Sequence, residues 1–353
     1  MDDSTISYVR ALEPLRDRPA VEMPVFGALL GTMRGTRGLW FVVPFAVPGA
    51  TGVLASDGVG VITALVLLLL VTGLLAWRAP LSIPWKALAD LARKEPFREL
   101  SLPPEGLFAV GAKVYFRLPG TEVAWAEARL PKPALLQLRA QRRLWLLGPD
   151  EKGRRFLQQP GVLWPRRVKT VTALPDGATR LDAVDQRRVP PEEDVVLIAH
   201  RRRLVGGIVS LFAGVSGTLV LLLAGQIYAV AEEMTDDLAG IIFLAVSGMV
   251  FFILGIEAAK GMVKPLPRGK WTEMVAVPHG PPRIGIAGMA TLACRVQWPN
   301  GWWSDVFLSR VDPSLAANVW ATQRLWILGE PFRGATTFAG VPGHAVLGRV
   351  SFS

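Results

Sequence analysis

The chain has 353 residues, of which 51% are hydrophobic and 19% are charged, and its mean hydropathy is +0.35. This composition is too apolar for a disordered protein and more apolar than that of an ordinary soluble protein. The formal net charge is +10, a single cysteine excludes a disulfide-bonded scaffold, and three histidines argue against a Cys/His metal cluster.

The N-terminal segment, residues 1–38, is predicted to precede a membrane hairpin. Residues 1–20 are polar and lack the apolar core of a cleavable signal peptide. An apolar run from Val25 and the basic residues Arg34 and Arg37 follow. We therefore expect an uncleaved segment that ends in a short helix at the membrane edge.

Four segments without Lys or Arg predict four transmembrane helices, at residues 39–54, 58–77, 204–230 and 238–258. A helix of ~20 apolar residues is long enough to cross the hydrocarbon of a bilayer. The first segment is short and contains prolines, so a buried or re-entrant segment is the alternative to a kinked span. Short turns join the spans into two hairpins.

The basic residues predict the orientation of these hairpins. All 39 lie before residue 39, between residues 78 and 203, or from residue 260 onward, and the two hairpin turns carry only acidic charges. Basic residues near span ends favour the cytoplasmic side. We therefore predict a multi-pass inner-membrane protein with both termini in the cytoplasm, and the excess of Arg over Lys is typical of a GC-rich bacterial genome.

Two stretches of the chain resemble each other at an offset of 178 to 181 positions, which predicts an internal duplication. The matched residues are Arg117 with Arg295, Trp125 with Trp303, Glu127 with Asp305, and R-L-W-L-L-G from Arg143 with R-L-W-I-L-G from Arg324. Chance similarity in a chain rich in Ala, Gly, Arg and Val is the alternative.

Each copy also contains a region that reads mainly as strands. The hairpin signals P-G-T-E from Pro119 and P-N-G-W from Pro299 join alternating segments, and a short helix and the R-L-W strand follow. This pattern predicts a small β-barrel or sandwich in each copy. A linker helix after Pro84 has an apolar face that either lies on the bilayer or packs on the first β domain.

The predicted fold class is therefore a membrane α + β protein. It has four transmembrane helices in two hairpins, each followed by a small cytoplasmic mainly-β domain. The predicted segments are an N-terminal segment (1–38), hairpin 1 (39–77), β domain 1 with the linker helix (78–189), a basic pre-helix (190–203), hairpin 2 (204–259) and β domain 2 (260–353).

No sequence motif for catalysis, for a cofactor or for a metal is present. The chain lacks a phosphate-binding GxxxxGK[ST] loop, a GxSxG elbow, an HExxH helix and CxxC pairs. Cys294 falls on a predicted strand, and the equivalent residue of the other copy is Phe116. This exchange of residues indicates a buried apolar role for Cys294. We therefore predict no enzyme activity, no cofactor and no catalytic or metal-binding residue.

The candidate interaction residues are few. Trp302 and Trp303 lie beside the Asn-Gly turn and are a candidate contact surface, with cross-strand core packing as the alternative. The triplet Arg201, Arg202 and Arg203 is a candidate for anionic lipid headgroups. Gln226 is a candidate polar residue inside the third span.

Adjacent basic residues recur as Arg142-Arg143, Arg154-Arg155, Arg166-Arg167 and Arg187-Arg188. They fit a solvated face or anionic lipid better than nucleic acid, which needs exposed aromatic residues among the cations. The predicted partners are therefore the lipid bilayer with its anionic headgroups and an unknown protein, without nucleic acid. Small-residue stripes leave open a homo-oligomer or tight packing within one chain.

The sequence thus predicts a non-enzymatic bacterial integral membrane protein that presents two β modules to a protein or to anionic lipid, in a scaffolding or regulatory role. The alternative is a small transporter or channel component with a path between the two hairpins. An enzyme would require Arg117, Glu127, Arg295 and Asp305 to line one pocket.

Overall fold

The computed structural model describes residues 11–23, 25–33, 83–103, 105–118, 124–184, 191–207, 249, 253, 270–285, 288–329, 334 and 336–352. The chain separates into two units, one formed by residues 1–35, 82–200 and 266–353 and the other by residues 36–81 and 201–265. Nearly all described residues belong to the first unit. The predicted domain boundaries stay predictions.

Among the described residues, no helix is long and apolar enough to cross a membrane. The prediction of a multi-pass inner-membrane protein with four transmembrane helices is corrected accordingly, and so are the integral-membrane function and the transporter alternative. Residues 39–54, 58–77 and almost all of residues 204–230 and 238–258 lie outside the described residues. The prediction rested on hydropathy, which reports that a segment avoids water and does not identify what covers it.

The first sheet has eight strands in the order β1-β5-β6-β7-β4-β3-β2-β8, and all neighbours are antiparallel. A helix, α3 (Lys132–Gln141), joins β4 to β5. We call this sheet with α3 the first module. Its strands are β1 (Arg98–Ser101), β2 (Leu107–Val110), β3 (Lys113–Arg117), β4 (Trp125–Arg129), β5 (Arg143–Leu147), β6 (Arg155–Gln158), β7 (Arg166–Val171) and β8 (Thr179–Arg180).

The second sheet has seven strands in the order β10-β11-β12-β15-β14-β13-β9, and β9 also pairs with β11, so the sheet closes on itself. A helix, α5 (Pro313–Thr322), joins β12 to β13. We call this sheet with α5 the second module. Its strands are β9 (Trp271–Pro278), β10 (Arg283–Ile284), β11 (Ala290–Gln297), β12 (Trp303–Val311), β13 (Arg324–Leu328), β14 (Thr336–Gly340) and β15 (Leu347–Phe352).

The two modules share one strand topology. Without β8, the order β2-β3-β4-β7-β6-β5-β1 corresponds strand by strand to β10-β11-β12-β15-β14-β13-β9. Each connecting helix ends at a residue with positive φ, Arg142 at 51° and Gln323 at 53°, directly before the R-L-W strand. The modules differ in closure, because β9 has eight residues and reaches β11, whereas β1 has four and pairs with β5.

Alternation along the strands builds the core of each module, since successive side chains point to opposite faces of a sheet. In the first module the inward residues include Val114, Phe116, Ala126 and Ala128. In the second they include Leu292, Cys294, Val306 and Leu308. The opposite, outer faces of the same strands are left for other contacts.

Two helices cover part of the outer face of the first sheet. Phe26 and Leu29, from the helical residues 25–33 (α1), pack with Leu88 of α2 (Trp85–Lys94) against Trp145 and Phe156 of β5 and β6. The apolar face of α2 is buried there. Of the two expectations for this linker helix, the structure shows packing on the β domain.

The modules meet through two equivalent Pro-Gly loops. Pro160-Gly161 follows β6 and Pro342-Gly343 follows β14, and both glycines have positive φ, 69° and 73°. A Cβ on Gly161 would lie 2.9 Å from the ring of His344, so the first loop lies directly against the second. Both loops therefore need glycine for their backbone conformation, and Gly161 is also needed for the close approach.

A buried amide from each connecting helix fixes this interface. Asn318 of α5 donates to the carbonyl of Gly161 at 2.7 Å and accepts from the N–H of Leu12 at 2.8 Å. Gln137 of α3 donates to the carbonyl of Pro160 at 2.6 Å and accepts from the N–H of Ala345 at 3.1 Å. Asn318 and Gln137 are 2% and 0% exposed, so each forms hydrogen bonds with backbone groups at a site that is closed to water.

His344 completes the interface as a neutral imidazole. Its Nδ1 lies 2.8 Å from the carbonyl oxygen of Pro342 and its Nε2 lies 2.9 Å from Nε2 of Gln141. A ring that donates to the carbonyl through Nδ1 and accepts the amide proton through Nε2 satisfies both contacts. Burial lowers the pKa of His344 to about 4, so the ring carries no charge at neutral pH.

We predict that Asn318→Ala lowers the free energy of unfolding by about 3 kcal/mol, because it leaves the N–H of Leu12 and the carbonyl of Gly161 buried without a partner. Urea unfolding followed by tryptophan fluorescence measures the change. Asn300→Ala, in an exposed turn, is the control and should cost less than about 1 kcal/mol. Equal losses for the two variants would contradict the assignment.

We predict that the protein loses stability as the pH falls from about 6.5 to about 4. In this range the unfolded chain protonates His344 and the folded chain does not, so the unfolded state binds more protons and is stabilised relative to the folded state. A pKa difference of this size corresponds to about 3 kcal/mol. In His344→Gln this part of the pH dependence should disappear from urea midpoints measured across the range.

Candidate functional site

The basic side chains are arranged by strand alternation and not by the adjacent pairs of the sequence. Neighbouring residues of a strand face opposite sides, so Arg166 and Arg167 of β7 separate. Arg167 is exposed on the outer face, whereas Arg166 pairs with the core residue Leu157. Arg143 bonds Glu99 and Glu13, and Arg154 bonds Asp150.

The outer face of the first sheet gathers six cations from four strands, β3, β4, β7 and β8, and we call this part of the face the basic face. It is formed by Lys113, Arg117, Arg129, Arg167, Lys169 and Arg180. On the four strands that carry these cations the only carboxylate is Glu127, which accepts from the hydroxyl of Tyr115 at 3.2 Å and pairs with Lys113 at 3.2 Å. Arg180 pairs with Glu105 at 3.7 Å and with Asp182 at 3.8 Å, both outside the strands. The face therefore keeps a positive excess.

Four of these cations have no carboxylate within 4.0 Å in the part of the chain that the structure describes, namely Arg117, Arg129, Arg167 and Lys169. All four are exposed. Arg129 also lies directly opposite Lys113 in the register of β3 and β4. Like charges in directly opposed positions repel, so an anion placed over this pair would stabilise it.

Aromatic rings lie among the cations of the basic face. Phe108 of β2 packs edge-on against Trp125 of β4 with a centroid distance of 5.5 Å. The guanidinium of Arg117 stacks over the Trp125 ring at 5.3 Å. Tyr115 is buried beside them, and burial together with its bond to Glu127 raises the pKa of its hydroxyl. The sequence prediction disfavoured nucleic acid for want of such an arrangement.

Phe108, Tyr115, Arg129 and Lys169 are not among the candidate residues predicted from the sequence. The signal was present as the two-residue alternation K-V-Y-F-R from Lys113 and R-V-K-T-V from Arg167. Joining these segments into one surface requires the strand order, because β7 lies beside β4 despite the distance between them in the chain.

The second module carries an exposed apolar surface at the equivalent place. It is formed by Trp302, Trp303, Phe307 and Val277, which are 74%, 38%, 50% and 47% exposed, and we call it the aromatic surface. Gly301 with φ 86° closes the turn that presents Trp302, whose N–H donates to Asn300 Oδ1 at 3.2 Å. The predicted candidates Trp302 and Trp303 are therefore at the surface, and cross-strand core packing does not apply to them.

Charged residues cross the middle of the aromatic surface. Arg295 lies between Val277 and Asp305 in the strand register, and its guanidinium stacks over Trp303 at 5.7 Å. Asp305 lies 3.5 Å from Nε2 of His279. The Arg295–Trp303 contact repeats the Arg117–Trp125 contact of the first module, while Phe307 stands at the position of Arg129.

The four residues that an enzyme would have had to bring together do not form one pocket. Arg117 and Glu127 lie on the first sheet and Arg295 and Asp305 on the second, and each is engaged with neighbours of its own sheet. An open groove does exist beside the basic face, between the β5–β6 turn and β7. Its charged lining residues are Lys152, Arg154, Arg155, Arg167 and Lys169, together with Glu151 and with Asp150, which is bonded to Arg154.

The remaining predicted residues fall elsewhere. Arg201, Arg202 and Arg203 belong to the helical residues 195–207 (α4), and their contact with anionic lipid stays a prediction. Gln226 and the pair Arg187-Arg188 lie outside the described residues. Within the described ranges, no three His, Cys, Asp or Glu side chains are grouped to hold a metal ion.

No protein-family model matches the chain, and neither a curated protein nor a solved structure does. The chemistry of the basic face and of the aromatic surface is therefore what bears on function.

We predict that Cys294 does not react with Ellman's reagent in the folded protein. It lies in the core of the second module, and burial raises its pKa to about 12, so both access and thiolate are lacking. Because the chain has one cysteine, the assay reports on this site alone. One equivalent should react in 6 M guanidinium chloride, and a comparable rate without denaturant would contradict the buried position.

Proposed function

We propose that the protein is a non-catalytic binding protein whose second module docks a protein partner through the aromatic surface. The observation that carries the proposal is the exposure of Trp302 and Phe307, 74% and 50%, on a strand hairpin whose inward residues are fully packed. Large apolar side chains grouped at a surface are a mark of protein contacts. The packing of the module itself does not account for the exposure of Trp302 and Phe307.

The composition of the aromatic surface fits a protein partner better than a polyanion. Trp and Arg are the residues that most often carry the binding energy of protein interfaces. Here Trp303 and Arg295 are stacked on each other at the centre. Asp305 balances the charge of Arg295, so the surface has no excess charge with which to attract phosphate groups.

The free energy available is sufficient for a specific contact. An aromatic side chain buries on the order of 150–250 Å², and apolar burial contributes ~25 cal/mol per Å². Covering Trp302 and Phe307 therefore supplies several kcal/mol against the entropy lost on association. The partner should present an apolar patch with groups that pair with Arg295 and Asp305.

We predict that a photo-crosslinking amino acid at position 307 forms a discrete protein adduct in living cells of the source organism. The same amino acid at position 129, the equivalent site on the first sheet, should not form it. Trp302→Ala with Trp303→Ala should weaken the adduct about 30-fold or more, since central aromatic residues contribute 2 kcal/mol or more to such contacts.

Gel electrophoresis with detection of the chain measures these adducts. An adduct at twice the mass of the chain would identify the partner as a second copy. No protein adduct at position 307, or an adduct of equal yield at position 129, would contradict the proposal. Asn300→Ala in the same turn is the control for changes of hairpin conformation.

A further inference from the structure

We propose that the basic face of the first module binds single-stranded nucleic acid. The inference goes beyond protein docking, because it concerns the other module and a different chemistry. Strands β3, β4, β7 and β8 carry six cations and one carboxylate on this face, and Arg180 alone pairs with carboxylates outside the strands, so the positive charge that a phosphate backbone complements remains in excess. This complementarity to phosphate follows from the positions of the side chains on the strands.

The unpaired cations supply the backbone contacts. Arg129, Arg167 and Lys169 are exposed and have no carboxylate within ion-pair distance among the described residues. Arg167 and Lys169 also line the adjoining open groove, whose wall adds Lys152 and Arg155. Glu151 and Asp150 also line the groove, and Asp150 is bonded to Arg154. The five basic side chains of the groove outnumber these two carboxylates, so a chain of phosphates can continue from the face into the groove.

The aromatic residues favour a nucleic acid over other polyanions. Trp125 and Phe108 are partly exposed between the cations. The guanidinium of Arg117 lies over the Trp125 ring and provides a second planar group. Bases stack on aromatic rings and on guanidinium planes, and such stacking tolerates any sequence. An anionic lipid surface or an acidic peptide would use the cations and leave these flat groups without a role.

The shape of the face favours a single strand over a duplex. Reading a duplex requires a helix or a two-stranded ribbon that enters the major groove. The cations here are spread over β7, β4, β3 and β8 of one sheet, and the partly exposed rings of Phe108 and Trp125 lie among them. Only unstacked bases can reach such rings.

The test uses the full chain and fluorescein-labelled 20-nucleotide oligo(dT) and oligo(U), with fluorescence anisotropy as the readout. About four phosphate contacts predict a slope of roughly −3 for log K against log salt concentration, since each contributes about −0.7 for a single strand. Arg167→Glu with Lys169→Glu should weaken binding at least 10-fold and reduce the slope to about half.

The matched control is Arg283→Glu with Arg349→Glu, which makes the same change of charge at exposed positions of the second sheet. It should weaken binding less than 3-fold. Trp125→Leu should weaken binding about 10-fold without changing the salt slope, because it removes stacking and no phosphate contact. Trp125→Phe should restore most of the affinity.

Three outcomes would overturn the proposal. One is equal weakening by the two charge-reversal pairs, which would show attraction by net charge alone. Another is an unchanged affinity of Trp125→Leu. The third is tighter binding of the chain to vesicles of phosphatidylglycerol, or to a duplex of the same length, with the same dependence on Arg167 and Lys169.

Discussion

The rest of the structure depends on the contact between the two Pro-Gly loops, one from each module. Gly161 lets the first loop lie directly against His344 of the second, and Gln137 and Asn318 hold backbone groups of both modules in a buried interface. Buried amides tolerate few alternatives, because each lost partner leaves a desolvated polar group. The interface therefore fixes the two modules as parts of one unit, where a purely apolar contact would permit sliding.

This arrangement explains why the inside of the modules is alike and the outside is not. Strand order, the connecting helix and the positive-φ residue before the R-L-W strand are shared because each serves packing or the interface. The outer faces carry no such constraint. A stacked Arg–Trp pair is present on the outer face of both modules. The same strands also carry Tyr115 and Arg129 in the first module, and Ala293 and Phe307 at the equivalent positions of the second. Two chemically different surfaces result from one topology.

The sequence predicts much of this at the level of elements and little of it at the level of surfaces. The hairpins, the short helix before each R-L-W strand and the buried Cys294 follow from local patterns. The basic face does not, because Arg129 and Lys169 become neighbours only through the pairing of β4 with β7. Adjacent Arg pairs attracted attention although alternation separates them. Hydropathy led to four transmembrane helices for segments that lie outside the described residues, whereas among the described ones no helix could span a membrane.

Holding two binding surfaces in one unit changes what each can do. When two ligands are bound to one rigid body, each stays near the other at an effective concentration set by the distance between the sites. A weak protein contact at Trp302 and Phe307 and a salt-dependent contact at Arg167 and Lys169 would then act together, although neither needs high affinity alone. The coupling depends on Gln137, Asn318 and His344. Protonation of His344 below about pH 4 would weaken this coupling, because the buried interface contains the ring in its neutral form.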